Sequence, residues 1–275
     1  MSGGTWRASR KRSAHVHTWH LTFSTDGRNP LFPDEYTRRR ALRVLARVAG
    51  SRSALFAIVD EHLHLVLFCD RQRAGRLARA TLIAVRPLAA AVVEPAHRRA
   101  VQSRSHMSWL LDYLLTQPRR HGLPVHPAIW TGSPFPDLIG ARQLPGLELK
   151  LRKALPRFRI RDLYRAVGLS PGGPLLPLPL ETVRAQGIAR LVAATTSALA
   201  VGPSLRGNRA ELVHARRVAA QLAHQCGISL TDTAWALKLT PRAARRLLEP
   251  EQDSGPLEAV RLWLALENAV QAIRH

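Results

Sequence analysis

His62 and His64 are separated by one leucine in the apolar run His62-Leu63-His64-Leu65-Val66-Leu67-Phe68. In an extended strand, residues two apart share a face, so both imidazoles point one way while Leu63, Leu65 and Leu67 point the other. Two imidazoles on one face can jointly hold a metal ion, or can stand as unrelated histidines on a half-buried strand. His15-Val16-His17 has identical spacing, so spacing alone does not choose between the pairs. Further on, Tyr113 and Gln117 are four apart in Trp109-Leu110-Leu111-Asp112-Tyr113-Leu114-Leu115-Thr116-Gln117-Pro118, which makes them neighbours on one face of a helix. A phenol can act as a covalent nucleophile, and an amide oxygen is a hard metal ligand. Each also has a plain reading, as an amphipathic core tyrosine and a helix end. The other two tyrosines, Tyr36 and Tyr164, have neither an amide nor a proline at this spacing.

The elements that must carry these groups follow from periodicity. His15 to Phe23 is β-rich and of strand length, and Glu35 to Val48 has apolar residues at helical spacing beneath an arginine-laden face. Ala54 to Phe68 reads as two strands broken at Asp60-Glu61. Arg71 to about Val93 reads as a helix interrupted at Pro87, and His97 to Ser103 as a short strand. A third helix, His106 to Gln117, is expected to stop against Pro118, since a residue before proline is pushed out of helical geometry. The predicted fold class is α+β: an antiparallel sheet with covering helices, nearest to the ferredoxin-like βαββαβ plan. Ser170 to Pro179 is crowded with helix breakers and predicts a linker over 166–180. Residues 181–275 then read as all-helical, with Arg184 to Leu199 as a supporting helix.

Composition narrows the partner. Against 19 acidic residues stand 41 Lys and Arg, a net charge of +22 over 275 residues, and only four of those cations are lysines. Such an excess repels itself in a compact fold and suits a polyanion, and arginine adds bidentate phosphate contact. Cys69 and Cys226 are the only cysteines, which excludes a disulfide framework or a cysteine-zinc cluster and fits a reducing cytoplasm. No apolar run reaches membrane-spanning length, and Met1 to Arg12 lacks the apolar centre of a secretory signal. A soluble protein with no membrane partner is therefore expected.

Taken in order, Tyr113, Gln117, Pro118 and Arg120-His121-Gly122, preceded by His62-Leu63-His64 behind a strand-helix-strand, resemble the REP-associated tyrosine transposases, a branch of the single-tyrosine HUH transposases. Trp130 to Gly140 is similar to that family's Trp-Ser-Ser-aromatic segment, and the likeness spans residues 13–165. The chain departs from it at Gln117-Pro118-Arg119, where the family often has Asn-Pro-Val, and at Asp60-Glu61, where it has Pro-Asn before the first histidine. The resemblance implies an HUH nuclease fold in which His62, His64 and Gln117 hold Mg²⁺ or Mn²⁺ and Tyr113 is the nucleophile. It implies nicking and rejoining of hairpin-bearing single-stranded DNA through a 5′-phosphotyrosine, in a bacterial, nucleoid-associated protein that works as a monomer or homodimer.

Candidate DNA contacts are Arg7, Arg10, Lys11 and Arg12 in a basic arm (1–12), Arg119 and Arg120 beside the tyrosine, and the runs Arg38 to Arg40 and Arg98-Arg99. Residues 229–248 have helix-turn-helix spacing: Ala234 is small where helices would cross, Lys238 takes the turn position that usually prefers glycine, and Thr240-Pro241 is an N-cap followed by proline. Arg242, Arg245 and Arg246 would then project as duplex-DNA readers. The competing reading is a non-catalytic DNA-binding regulator built on that module. A histidine-nucleophile phosphohydrolase fits poorly, because Val66 and Phe68 follow on the His62/His64 face.

Overall fold

The computed structural model describes residues 17–147, 159–170 and 173–273. The basic arm with Arg7, Arg10, Lys11 and Arg12, together with His15, lies outside the described residues. The protein is α+β. Its first part runs β1 (His17–Ser24), α1 (Glu35–Ala49), β2 (Ser53–Ile58), β3 (His62–Cys69), α2 (Arg71–Val85), β4 (His97–Val101) and α3 (Arg104–Arg120). The four strands form one antiparallel sheet in the order β2-β3-β1-β4, compatible with the βαββαβ plan.

Period-two alternation gives this sheet two unlike faces. Leu21, Phe23, Phe56, Ile58, Leu63, Leu65 and Leu67 are fully or almost fully buried on one face, against Leu42, Leu45 and Ala46 of α1 and Ala74 and Ala78 of α2. The other face carries Leu55, Ala57 and Val66 beneath Met107, Leu110, Leu111 and Leu114 of α3. On that face β3 also presents His62 and His64, and β1 presents His20, Thr22 and Ser24.

Several sequence expectations change. Helix α2 ends at Val85, and Pro87 sits in a 3-10 turn, Arg86–Leu88. Helix α3 does not stop at Gln117 but continues through Pro118 to Arg120. Pro118 costs one helical hydrogen bond for want of an N–H; beyond it, N–H groups of His121, Gly122 and Leu123 donate to the carbonyls of Gln117, Arg119 and Pro118, all at 3.0 Å, and close the helix end. The third concerns Arg38 to Arg40, which do not form a free cationic track. Arg38 lies over the Trp130 ring at 4.5 Å and donates to Phe32 O. Arg39 is buried and donates to Val201 O at 2.7 Å, to Ser197 Oγ and to Glu35. Arg40 covers Tyr36.

The remaining elements are α4 (Phe135–Leu138), α5 (Ile160–Val167), α6 (Leu180–Gln186), α7 (Ile188–Ala198), α8 (Ala210–Gln225), α9 (Leu230–Leu237), α10 (Pro241–Arg246) and α11 (Ser254–Ile273). The expected supporting helix is split at Gly187, whose φ of 83° separates α6 from α7. Arg39 and Arg43 meet carbonyls just beyond the C-terminal end of α7, where cations are electrostatically favoured. One apolar cluster runs without a break from α3 and its sheet face through α5, α7, α8 and α11. Residues 173–179 form no helix or strand, yet Leu175 N–H donates to Tyr164 Oη, and Leu178 exchanges hydrogen bonds with Arg261.

Helices α9 and α10 are joined through Lys238, Leu239 and Thr240. Lys238 is left-handed (φ 56°) and caps α9, while Thr240 Oγ1 accepts from Ala243 N–H and caps α10. A side chain in this backbone region costs about 1–2 kcal/mol, partly offset in glycine by the entropy glycine loses on folding. Lys238→Gly is therefore expected to stabilise the protein by about 0.5–1 kcal/mol in urea denaturation; a loss of stability would show that the lysine side chain makes a compensating contact.

Candidate active site

The sheet register decides which histidines meet. Across the β1–β3 ladder, Thr22 stands opposite His64 and Ser24 opposite His62. His20, one strand pair further along, leans its ring against His64, with centroids 5.3 Å apart. His62 and His64 stack at 5.9 Å with an 18° interplanar angle, as same-face strand neighbours should. His17, of the alternative pair, lies one residue out of phase with His20 and so belongs to the opposite face.

Helix α3 completes the cluster. Tyr113 meets His64 edge-on at 5.8 Å. Gln117, four residues on, is buried, and its Oε1 accepts from His121 Nε2 at 3.1 Å while its Nε2 donates to Tyr113 O. His121 in turn packs edge-on against His62 at 5.8 Å. The structure thus places Tyr113 against His64 and His64 against His62, and links Gln117 to His62 through His121. Arg120 joins them, its guanidinium 5.3 Å over the Tyr113 ring. Arg119 does not; its guanidinium lies against Gly168, past the end of α5, because one residue of helix rotates a side chain by about 100°. Arg98 and Arg99 likewise part company. Arg99 pairs with His20 on the candidate-site face, whereas Arg98 reaches Gly75 of α2 on the other.

In a metal-binding histidine one ring nitrogen is usually fixed by an outer partner while the other faces the metal, and His64 has the first of these features. His64 Nδ1 lies 3.1 Å from His20 Nε2 and 3.3 Å from Thr22 Oγ1. With either partner accepting, the neutral ring carries its proton on Nδ1 and offers a lone pair at Nε2, the tautomer that ligation through Nε2 requires. That Nε2 is buried and has no hydrogen-bond partner. His62 Nδ1 faces the Glu61 carboxylate at 3.7 Å. Among the described residues no three His, Cys, Asp or Glu side chains form a metal-binding group; the expected set of His62, His64 and Gln117 has two imidazoles and an amide. Imidazole nitrogen with amide oxygen suits Mn²⁺ or Mg²⁺, the nitrogen favouring Mn²⁺.

Burial keeps both inner rings neutral. It lowers His64 to about 3, helped by the nearby His20, His62 and His121, and lowers His20 to about 4, helped by His106, His97 and Arg99. Folded-state values below the unfolded 6.5 mean that the unfolded chain takes up protons first as pH falls. Stability of the chelator-treated protein is thus expected to be full above about pH 6.5 and to fall toward pH 4, by up to about 1.4 kcal/mol per pH unit for each ring. Denaturation midpoints measured from pH 7.5 to 4.5 check this, and His20→Asn should make the slope shallower; a flat profile contradicts it.

His20 and Thr22 were not singled out from sequence, and His121 entered only as part of the Arg120-His121-Gly122 tail, with no role of its own. His20 is reached only through the register of β1 on β3. His121 stands four residues after Gln117, a signal hidden by ending the helix at Pro118. Trp130, singled out by resemblance, is structural: its Nε1 donates to Ile58 O at 2.7 Å, and Gly132 backs directly onto Ile58. Arg242, Arg245 and Arg246 are exposed on α10.

Comparison with protein-family models, with curated proteins and with solved structures found no match to this chain.

Proposed function

We propose that the chain is a metal-dependent DNA-nicking and strand-joining enzyme with a tyrosine nucleophile, of the HUH transposase kind. The observation that carries this reading is the convergence of Tyr113 with two parallel imidazoles, one of which offers an unpartnered buried Nε2. His62, His64 and Gln117 would hold Mg²⁺ or Mn²⁺, which when bound polarises a phosphate oxygen as a Lewis acid.

The protein residues have separable tasks. His20, Thr22 and Glu61 fix the imidazoles, and His121 fixes the Gln117 amide. Tyr113 Oη bonds to the scissile phosphorus as the P–O3′ bond breaks; the phenolic proton is released and the departing 3′ oxygen gains one. The product is a 5′-phosphotyrosine and a free 3′-hydroxyl. Because the phosphodiester's energy is retained in the covalent link, a 3′-hydroxyl can reverse or redirect the reaction without ATP. Arg120 supplies positive charge beside the ring, where the phosphate must arrive.

Wild-type protein incubated with labelled hairpin-bearing single-stranded DNA and Mn²⁺ should give a covalent adduct that survives SDS and is lost with EDTA. Absence of any adduct, with duplex binding retained, overturns the enzyme in favour of a DNA-binding regulator. That second reading draws on α9 and α10 as a helix-turn-helix: Thr240 caps α10, which exposes Arg242, Arg245 and Arg246.

A further inference from the structure

The helix that bears Tyr113 also bears an unexplained aromatic group. Trp109 is 56% exposed, although a large indole on a helix is ordinarily drawn into the core. It stacks nearly parallel on Tyr113, with centroids 5.0 Å apart and a 15° interplanar angle, and His106 continues the row at 6.2 Å. One face of the indole is taken by Tyr113, so the exposed area is free for another flat group. Beside this row lies β4, an edge strand whose His97 and Arg99 stand on the same sheet face as Thr22 and His20; both are exposed.

We propose that single-stranded DNA reaches the Tyr113 site across the β4 edge, with Trp109 stacking a base next to the scissile phosphate and Arg99 and Arg120 holding flanking phosphates. The inference rests on the nuclease reading for the word scissile, but the track itself stands on geometry. Exposed aromatic rings interleaved with cations are what an unpaired strand requires, since every base has a stacking face and every linkage a negative charge. In a duplex those faces are already stacked, so Trp109 selects for unpaired DNA. Arg38, Arg39 and Arg43 of α1 do not serve as this track, because α1 covers the opposite face of the sheet and Trp130 and the carbonyls beyond α7 engage them.

Binding of a short labelled unpaired deoxyoligonucleotide is measured by fluorescence anisotropy in a Tyr113→Phe background, which keeps a ring under the indole and removes covalent capture. Trp109→Ala should weaken binding about tenfold or more, and Trp109→Phe should restore most of it. Arg99→Gln should weaken binding less and flatten its salt dependence, while affinity for blunt duplex DNA is unchanged by all three. Single-strand affinity within twofold of the parent in Trp109→Ala, or an equal loss for duplex, overturns the proposal. The covalent-adduct assay fails independently: no adduct with a Trp109-dependent affinity removes the enzyme and leaves the track, and an adduct with a Trp109-independent affinity does the reverse.

Discussion

Tyr113→Phe should abolish the SDS-resistant adduct, lowering its rate of formation by three orders of magnitude or more, as expected when a covalent nucleophile is deleted. The change removes one oxygen and little else. The ring keeps its stack on Trp109 and its edge contact with His64, and Gln117 still reaches the backbone carbonyl of residue 113 rather than the hydroxyl. Fold and single-strand affinity should therefore be preserved, as measured by thermal denaturation and anisotropy. Tyr36 and Tyr164 offer no substitute. Tyr36 lies beneath Arg40, and Tyr164 is buried with its Oη accepting from Leu175 N–H. An adduct formed by Tyr113→Phe at the parent rate would remove Tyr113 from the mechanism.

Arg142→Met should cost about 3–5 kcal/mol, the range for stripping one partner from a buried ion pair. Arg142 and Asp137 are both buried, with their side chains joined through two contacts. The guanidinium also donates to Thr131 O and Ser133 O, each at 2.6 Å, so one side chain closes the loop that covers the end of β2. Through that loop Ile58 N–H donates to Gly132 O, and the adjacent Ala57 stands opposite His64. Burial pushes the Asp137 carboxyl up, and Arg142 opposes this; without the arginine the carboxylate would be stranded. Chemical denaturation measures the loss, and Arg142→Met with Asp137→Leu should recover much of it, because the unpaired buried charge is then gone. A single-variant loss below about 1 kcal/mol would show that solvent reaches the pair.

Both effects turn on groups whose importance is unevenly visible in the sequence. The period of two in His62-Leu63-His64-Leu65 places two imidazoles opposite a leucine core, and the four-residue step from Tyr113 to Gln117 places phenol and amide on one helix face. Those are properties of single elements, and neither depends on what the element packs against. The left-handed turn at Lys238 and the Thr240 cap are local in the same sense. Arg98 and Arg99 show the cost of setting the period aside. As strand neighbours they face opposite ways, and only one of them can border the candidate site.

Local pattern alone determined the order and type of the main strands and helices, though not every boundary, together with the two unlike faces of the sheet and the excess of positive charge. Tertiary structure decided which side chains touch: His20 against His64 through a ladder register, His121 against Gln117 through a helix that outlasts its proline, and Arg39 turned from a surface cation into a buried donor. The reason is physical. Backbone geometry repeats over a few residues and leaves its mark on neighbouring positions, whereas a contact between residues far apart in the chain forms only when two separately built surfaces are pressed together; the apolar pattern of each strand fixes which face is inward, but not which residue stands opposite which.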